Sequence, residues 1–140
     1  MKHTVLFLCQ GNSARSQMAE AVLKKQASNY FEVFSAGTSP QNLDPKAIDS
    51  IEQFGLSTAE LYSKPLSQFS DRSFDFVITL CDKANQECKT FPNAKETIAW
   101  NFEDPKSRAG INPYDTTLRE LNERMKMFVL VQTKQQRDND

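Results

Sequence analysis

The stretch Val5-Leu6-Phe7-Leu8-Cys9-Gln10-Gly11-Asn12-Ser13-Ala14-Arg15-Ser16 runs from four consecutive apolar residues directly into a short polar loop. The apolar run is of strand length and reads as a buried strand. It delivers Cys9 into a loop closed by Arg15, short enough to wrap one tetrahedral oxyanion. Its backbone N–H groups are expected to converge on that anion, helped by the missing Cβ of Gly11 and by the N-terminus of a following helix. Gln10, Gly11, Asn12, Ser13, Ala14, Arg15 and Ser16 form the candidate oxyanion-binding set, with Arg15 supplying a planar cationic fork. The same positive ends favour thiolate over thiol at Cys9, the candidate nucleophile. A buried structural cysteine explains Cys9 alone; it gives no reason for a glycine, an arginine and two serines around it.

Outward from this loop, short apolar runs alternate with helical patterns, the signature of an α/β domain built on a parallel sheet. Strands are expected at about Thr4–Leu8, Phe31–Phe34, Phe76–Leu80 and Thr97–Trp100. A helix over about Arg15–Ala27 turns Met18, Ala19, Val22 and Leu23 to the core. A second starts at Asp44-Pro45, a capping residue followed by proline, and stops at Gly55. Ser63–Phe69 reads as an irregular or short helical segment held by Leu66 and Phe69. The last helix, about Asp115–Thr133, faces Leu118, Leu121, Met125, Phe128 and Val129 inward. Residues 1–134 make one domain, and Gln135–Asp140 is a polar tail expected to fray.

At 140 residues and a net charge of −1, the chain suits one domain and has no global charge to attract nucleic acid or an anionic membrane. No apolar stretch is long enough to span a bilayer, and a cleaved leader would cut through the Cys9 loop, so a cytoplasmic monomer is expected. Three cysteines at wide spacing are not a secreted disulfide framework. No C-x-x-C occurs and His3 is the one histidine, so neither a metal site nor a bound cofactor is expected.

Phe76–Leu80 runs into Cys81 much as the first strand runs into Cys9, which brings two cysteines to one edge of the sheet. Ligand sites of open parallel sheets lie beyond that edge. Cys88 follows Cys81 by seven residues. In a helix, those seven residues separate the Cα atoms by about 10 Å, whereas a disulfide needs them within about 7 Å. A Cys81–Cys88 bond therefore requires the segment to unwind; on spacing alone the two thiols could equally be a strand-end core residue and an incidental surface group.

Cys9–Ser16 matches the C-x5-R-[ST] loop of low-molecular-weight protein tyrosine phosphatases and of the arsenate reductases built on that fold. More particularly, the chain resembles the thioredoxin-coupled arsenate reductases. Asn12-Ser13, Arg15–Glu20, Ser35-Ala36-Gly37, Asn42–Ala47, Val77–Cys81, Cys88 and Trp100–Pro105 fall in that family's order and approximate spacing. The resemblance implies a single open parallel four-stranded sheet flanked by helices, phosphatase-like. It also implies a relay. Cys9 attacks arsenate with Asp104 as proton donor, Cys81 attacks Cys9 and releases arsenite, and Cys88 moves the disulfide out to thioredoxin. Asp104 on its own reads as an Asx-type turn residue before proline.

The chain departs from its kin at three places. Ala14 stands where many of these reductases carry a further cysteine outside the relay. Lys64 stands near an aspartate that relatives use, with positions matching Asn12, Glu20 and Ser35, to hold potassium; a lysine there repels a cation, and its ammonium fits near Glu20 or Asn12. Lys106-Ser107-Arg108 replace the tyrosines that many phosphatases of this fold place after the acid. A tyrosine phosphatase needs only Cys9, Arg15 and Asp104, and a glutathione- or glutaredoxin-fed reductase needs no Cys81–Cys88 bond. Both stand as alternatives to the thioredoxin-fed relay, beside a non-enzymatic oxyanion-binding or redox-sensing module.

Overall fold

Three strands rich in apolar and aromatic residues and a fourth, polar edge strand, each joined to the next by a connection too long for a hairpin, pair in parallel in the order β2-β1-β3-β4. The computed structural model describes residues 2–81 and 93–139. Its strands are β1 (His3–Cys9), β2 (Phe31–Gly37), β3 (Ser73–Thr79) and β4 (Asn93–Ala99). Its helices are α1 (Arg15–Ala27), α2 (Pro45–Gln53) and α3 (Pro113–Asn139), with a 3-10 turn at Leu66–Phe69. From β1 the chain moves one way to β2 and the other way to β3. The switch point therefore falls between the carboxyl ends of β1 and β3, where an open parallel sheet places its ligand.

The elements form where side-chain chemistry dictates. Val5 to Leu8 are fully buried because β1 is central and covered on both faces. Asp44 caps α2, its carboxylate accepting from the Lys46 amide at 3.0 Å with Pro45 in the first turn, and Gly55 takes a φ of +84° just past its end. The core stripes are those expected: Met18, Ala19, Val22 and Leu23 of α1, and Leu118, Leu121, Met125 and Phe128 of α3 are all buried. Phe31, Phe76 and Trp100 each pack within 6 Å of the Phe128 ring, binding both sides of the sheet's centre to α3.

Four boundaries differ from the sequence reading by three residues or more. β3 begins at Ser73 rather than Phe76, because Ser73 and Phe74 already pair with Asn93 and Ala94. β2 continues through Ser35-Ala36-Gly37, because Cys9 still pairs with Gly37 across the ladder. β4 starts at Asn93, well before Thr97, since an edge strand is free to carry Lys95 and Glu96 and shows no apolar pattern. The backbone of α3 is helical to Asn139, six residues past the end expected at Thr133, for the last turns hold no glycine or proline to stop it. Among the described residues no helix is long and apolar enough to cross a membrane, and no cluster of three potential metal ligands occurs.

Candidate active site

Each peptide plane of the Cys9 loop is turned by an outside hand. The carbonyls of Cys9, Gln10, Gly11 and Ser13 accept from the amides of Thr38, Ser39, Gln41 and Asp44 at 3.3, 2.8, 2.8 and 3.0 Å. The Asn12 carbonyl accepts from Gln17 Nε2 at 2.9 Å. In a trans peptide the N–H points opposite to the carbonyl. Holding these five carbonyls outward therefore turns the N–H groups of Gln10, Gly11, Asn12, Ser13 and Ala14 to the concave side. Among the described residues, no amide from Gly11 to Ser16 donates to a protein acceptor. The result is a nest of donors at the start of α1, suited to an oxyanion.

That cradle opens into a cavity of about 250 Å³ lined by Cys9, the loop, Arg15, Gln41, Asp44, Asp104 and Lys106. Arg15 enters from above, with Nη1 donating to the Phe102 carbonyl at 2.9 Å and Nη2 lying 3.9 Å from Asp104 Oδ2. The Phe102 amide in turn rests on the Leu80 carbonyl at 3.2 Å, so the end of β3 aims the arginine. Asp104 satisfies both of its sequence readings. Its Oδ1 accepts from the Lys106 amide at 3.0 Å in an Asx turn, which leaves Oδ2 directed at Arg15 and the cavity. A wider cleft of about 730 Å³ lies by Glu20, Lys24, Glu60 and Arg72, but no cysteine lines it and its acids Glu20, Glu32 and Glu60 are paired with its cations.

Beneath the loop a buried polar network fixes Cys9. The Lys64 amide can only donate, and it donates to Asn12 Oδ1 at 2.7 Å. The Asn12 amide nitrogen must then face Ser16 Oγ at 2.7 Å and Ser35 Oγ at 3.0 Å. Ser16 Oγ also lies 3.0 Å from Cys9 Sγ, and towards a thiolate, which can only accept, its hydroxyl is the donor. Ser35 donates to Glu20 Oε1 at 2.6 Å, and Glu20 lies between two ammonium groups: Lys64 Nζ at 3.6 Å and Lys24 Nζ at 2.7 Å. Burial lowers the Lys64 pKa, only partly offset by Glu20. Burial works the same way on Lys24, but there the hydrogen bond and charge of Glu20 prevail and the pKa is raised.

Asn12, rather than Gly11, takes the left-handed conformation, with φ at +49°. A Cβ at Gly11 would meet only the side-chain ends of Ser13 and Gln41, at 3.2 and 3.6 Å. The position that requires glycine is Gly37, where a Cβ would lie 2.8 Å from the Gln10 carbonyl and 2.9 Å from the Asn12 amide.

Cys81 is buried and follows β3 by two residues, beside the end of β1, with Leu8 paired to Thr79 in register. Cys88 lies outside the described residues. Gln17, Gln41, Asp44 and Lys106 were not foreseen as parts of the site. Asp44 and Lys106 carried a signal, being a helix cap and the residue after Asp104-Pro105; Gln17 carried none, because it sits in a helix among apolar neighbours.

The fold and the cysteine loop define a class of protein. The low molecular weight phosphotyrosine protein phosphatase family model matches residues 4–139, and the chain belongs to that family. Within it the chain groups with the arsenate reductases. It is 37% identical over 109 residues to the arsenate reductase of Halalkalibacterium halodurans, covering 78% of each protein. A solved arsenate reductase in the phosphate-binding state is 30% identical, with a TM-score of 0.76 over 92% of this chain and 97% of that one. The YwlE arginine phosphatase of Geobacillus stearothermophilus superposes with a TM-score of 0.81 over 99% of this chain and 97% of that one. At 21% identity that likeness is one of fold.

Proposed function

We propose that this protein reduces arsenate to arsenite through Cys9, Cys81 and Cys88, with thioredoxin as the external reductant. The observation that carries the reading is the position of two cysteines at the carboxyl ends of neighbouring strands, Cys9 as the last residue of β1 and Cys81 two residues past β3, with the donor nest around the first. Arsenate and phosphate are both tetrahedral oxyanions that the nest and the Arg15 fork would hold, and one solved relative is an arsenate reductase in the phosphate-binding state.

In the first step the Cys9 thiolate, bonded by Ser16, attacks arsenic(V). A hydroxide leaves as water by taking the proton of Asp104, and an S–As bond forms. Arg15 and the inward N–H groups balance the charge that grows on the equatorial oxygens. In the second step the Cys81 thiolate attacks Cys9 Sγ. The S–S bond forms as the S–As bond breaks, and its electron pair stays on arsenic, which leaves as arsenite. Cys88 then attacks Cys81, returning Cys9 as thiolate, and a thioredoxin dithiol reduces the Cys81–Cys88 bond. Such a reductant places the reaction in a reducing cytoplasm.

Hydrolysis of phosphate monoesters is the rival reading, since the chain belongs to the phosphotyrosine protein phosphatase family and that reaction needs only Cys9, Arg15 and Asp104. Coupling purified protein to thioredoxin, thioredoxin reductase and NADPH, with arsenate or an aryl phosphate as substrate, separates the two. Arsenate-dependent NADPH oxidation is the expected result; ester hydrolysis without it overturns the reading.

A further inference from the structure

The donor nest depends on its outer clasp, and the clasp is fastened at one end by a residue that never reaches the cavity. Asp44 is the last clasp residue, its amide donating to the Ser13 carbonyl at 3.0 Å and so setting the inward N–H of Ala14. Its carboxylate also lines the cavity. One oxygen accepts from the Lys46 amide at 3.0 Å, and the other accepts a hydrogen bond from the hydroxyl of Tyr114. Tyr114 is buried in the first turn of α3, outside the cavity. A second bond between the same elements, Ser50 Oγ to Asp115 Oδ1 at 2.6 Å, holds α2 against that turn.

From this arrangement we infer that Tyr114 and Asp44 form a positioning pair that sets the oxyanion affinity of the Cys9 loop from α3. Removing the Tyr114 hydroxyl strips Asp44 of one of its two donors and leaves a charged group undersatisfied beside an anion site. The carboxylate then re-aims toward any remaining donor, carrying the backbone of residue 44 with it. The Ser13–Ala14 peptide loses its anchor, and one inward donor with it. Because Tyr114 touches neither anion nor sulfur, its loss weakens oxyanion binding while leaving the reacting groups in place.

The inference rests on the oxyanion-site reading above, and its test is arranged so that the two fail separately. Inorganic phosphate affinity is measured by calorimetry for the full-length wild type, Tyr114→Phe, Asp44→Ala and the double variant, with arsenate kcat and KM alongside. Wild type that binds no phosphate contradicts the site reading. Given wild-type binding, Tyr114→Phe is expected to bind phosphate about tenfold more weakly, the scale of one hydrogen bond to a charged group. The arsenate KM is expected to rise in parallel and kcat to change little. The double variant is expected to bind no more weakly than Asp44→Ala alone, because Tyr114 acts through Asp44. Unchanged affinity in Tyr114→Phe, or full additivity in the double variant, overturns the inference. Should Asp44→Ala fail to fold for loss of its helix cap, Asp44→Asn, which keeps the cap acceptor, takes its place in the cycle under the same criterion.

Discussion

The side-chain amide of Asn12 donates to Ser16 Oγ at 2.7 Å, and that contact holds the Ser16 hydroxyl beside the sulfur of Cys9. The hydroxyl lies 3.0 Å from Cys9 Sγ and donates to the sulfur when that sulfur is a thiolate. An anion that loses such a donor loses a charge-assisted bond. Ser16→Ala is therefore expected to slow alkylation of Cys9 by iodoacetamide at neutral pH by about tenfold, on the scale of one such bond. An unchanged rate would mean that the Ser16 hydroxyl contributes nothing to the reactivity of the sulfur.

Gly37→Ala places a methyl group against the Gln10 carbonyl and the Asn12 amide, both backbone atoms that cannot step aside. The substitution is expected to cost about 1–3 kcal/mol of stability by urea unfolding, as overpacking does, and to weaken phosphate binding. Gly11→Ala, which meets only side-chain ends, is expected to be the milder change in both measurements.

Lys64 gives a pH signature whose sign follows from its burial. Its pKa in the folded protein lies below the ordinary 10.5. Between those two values the unfolded chain holds the proton and the folded one does not, so stability rises with pH through that window. The unfolding free energy of wild type minus that of Lys64→Met, followed in urea from neutral pH towards 10.5, is expected to grow; a falling difference contradicts it. The ammonium lies 3.6 Å from Glu20 and donates to the Tyr62 carbonyl at 2.7 Å. Replacing sodium with potassium at constant ionic strength is accordingly expected to leave arsenate kcat/KM unchanged.

Asp104 divides its oxygens between the turn and the cavity, so Asp104→Asn keeps the Lys106 contact and removes only the transferable proton. Arsenate kcat is expected to fall by about 10²–10⁴, with phosphate affinity largely retained. A loss confined to affinity would make Asp104 a binding group and not the acid.

Much of this arrangement was legible beforehand. The Val5–Leu8 run, the Asp44-Pro45 cap and the α3 stripe each express a local rule, and each stands where its rule puts it. What escaped was set by contacts distant in sequence. The polar start of β4 is a strand only because β3 pairs with it, and Tyr114 joins the site only because α3 returns to Asp44, 70 residues earlier. Gly37 shows the same limit. Read along the chain it ended a strand, whereas in space it makes room for the loop that carries Cys9.

Arsenate-dependent NADPH oxidation with thioredoxin and thioredoxin reductase, compared between wild type and Cys88→Ser, tests the relay most directly. Sustained turnover in wild type and none beyond the first cycle in the variant, with a trapped Cys9–Cys81 disulfide, is the expected result. Equal steady-state turnover in both would contradict it.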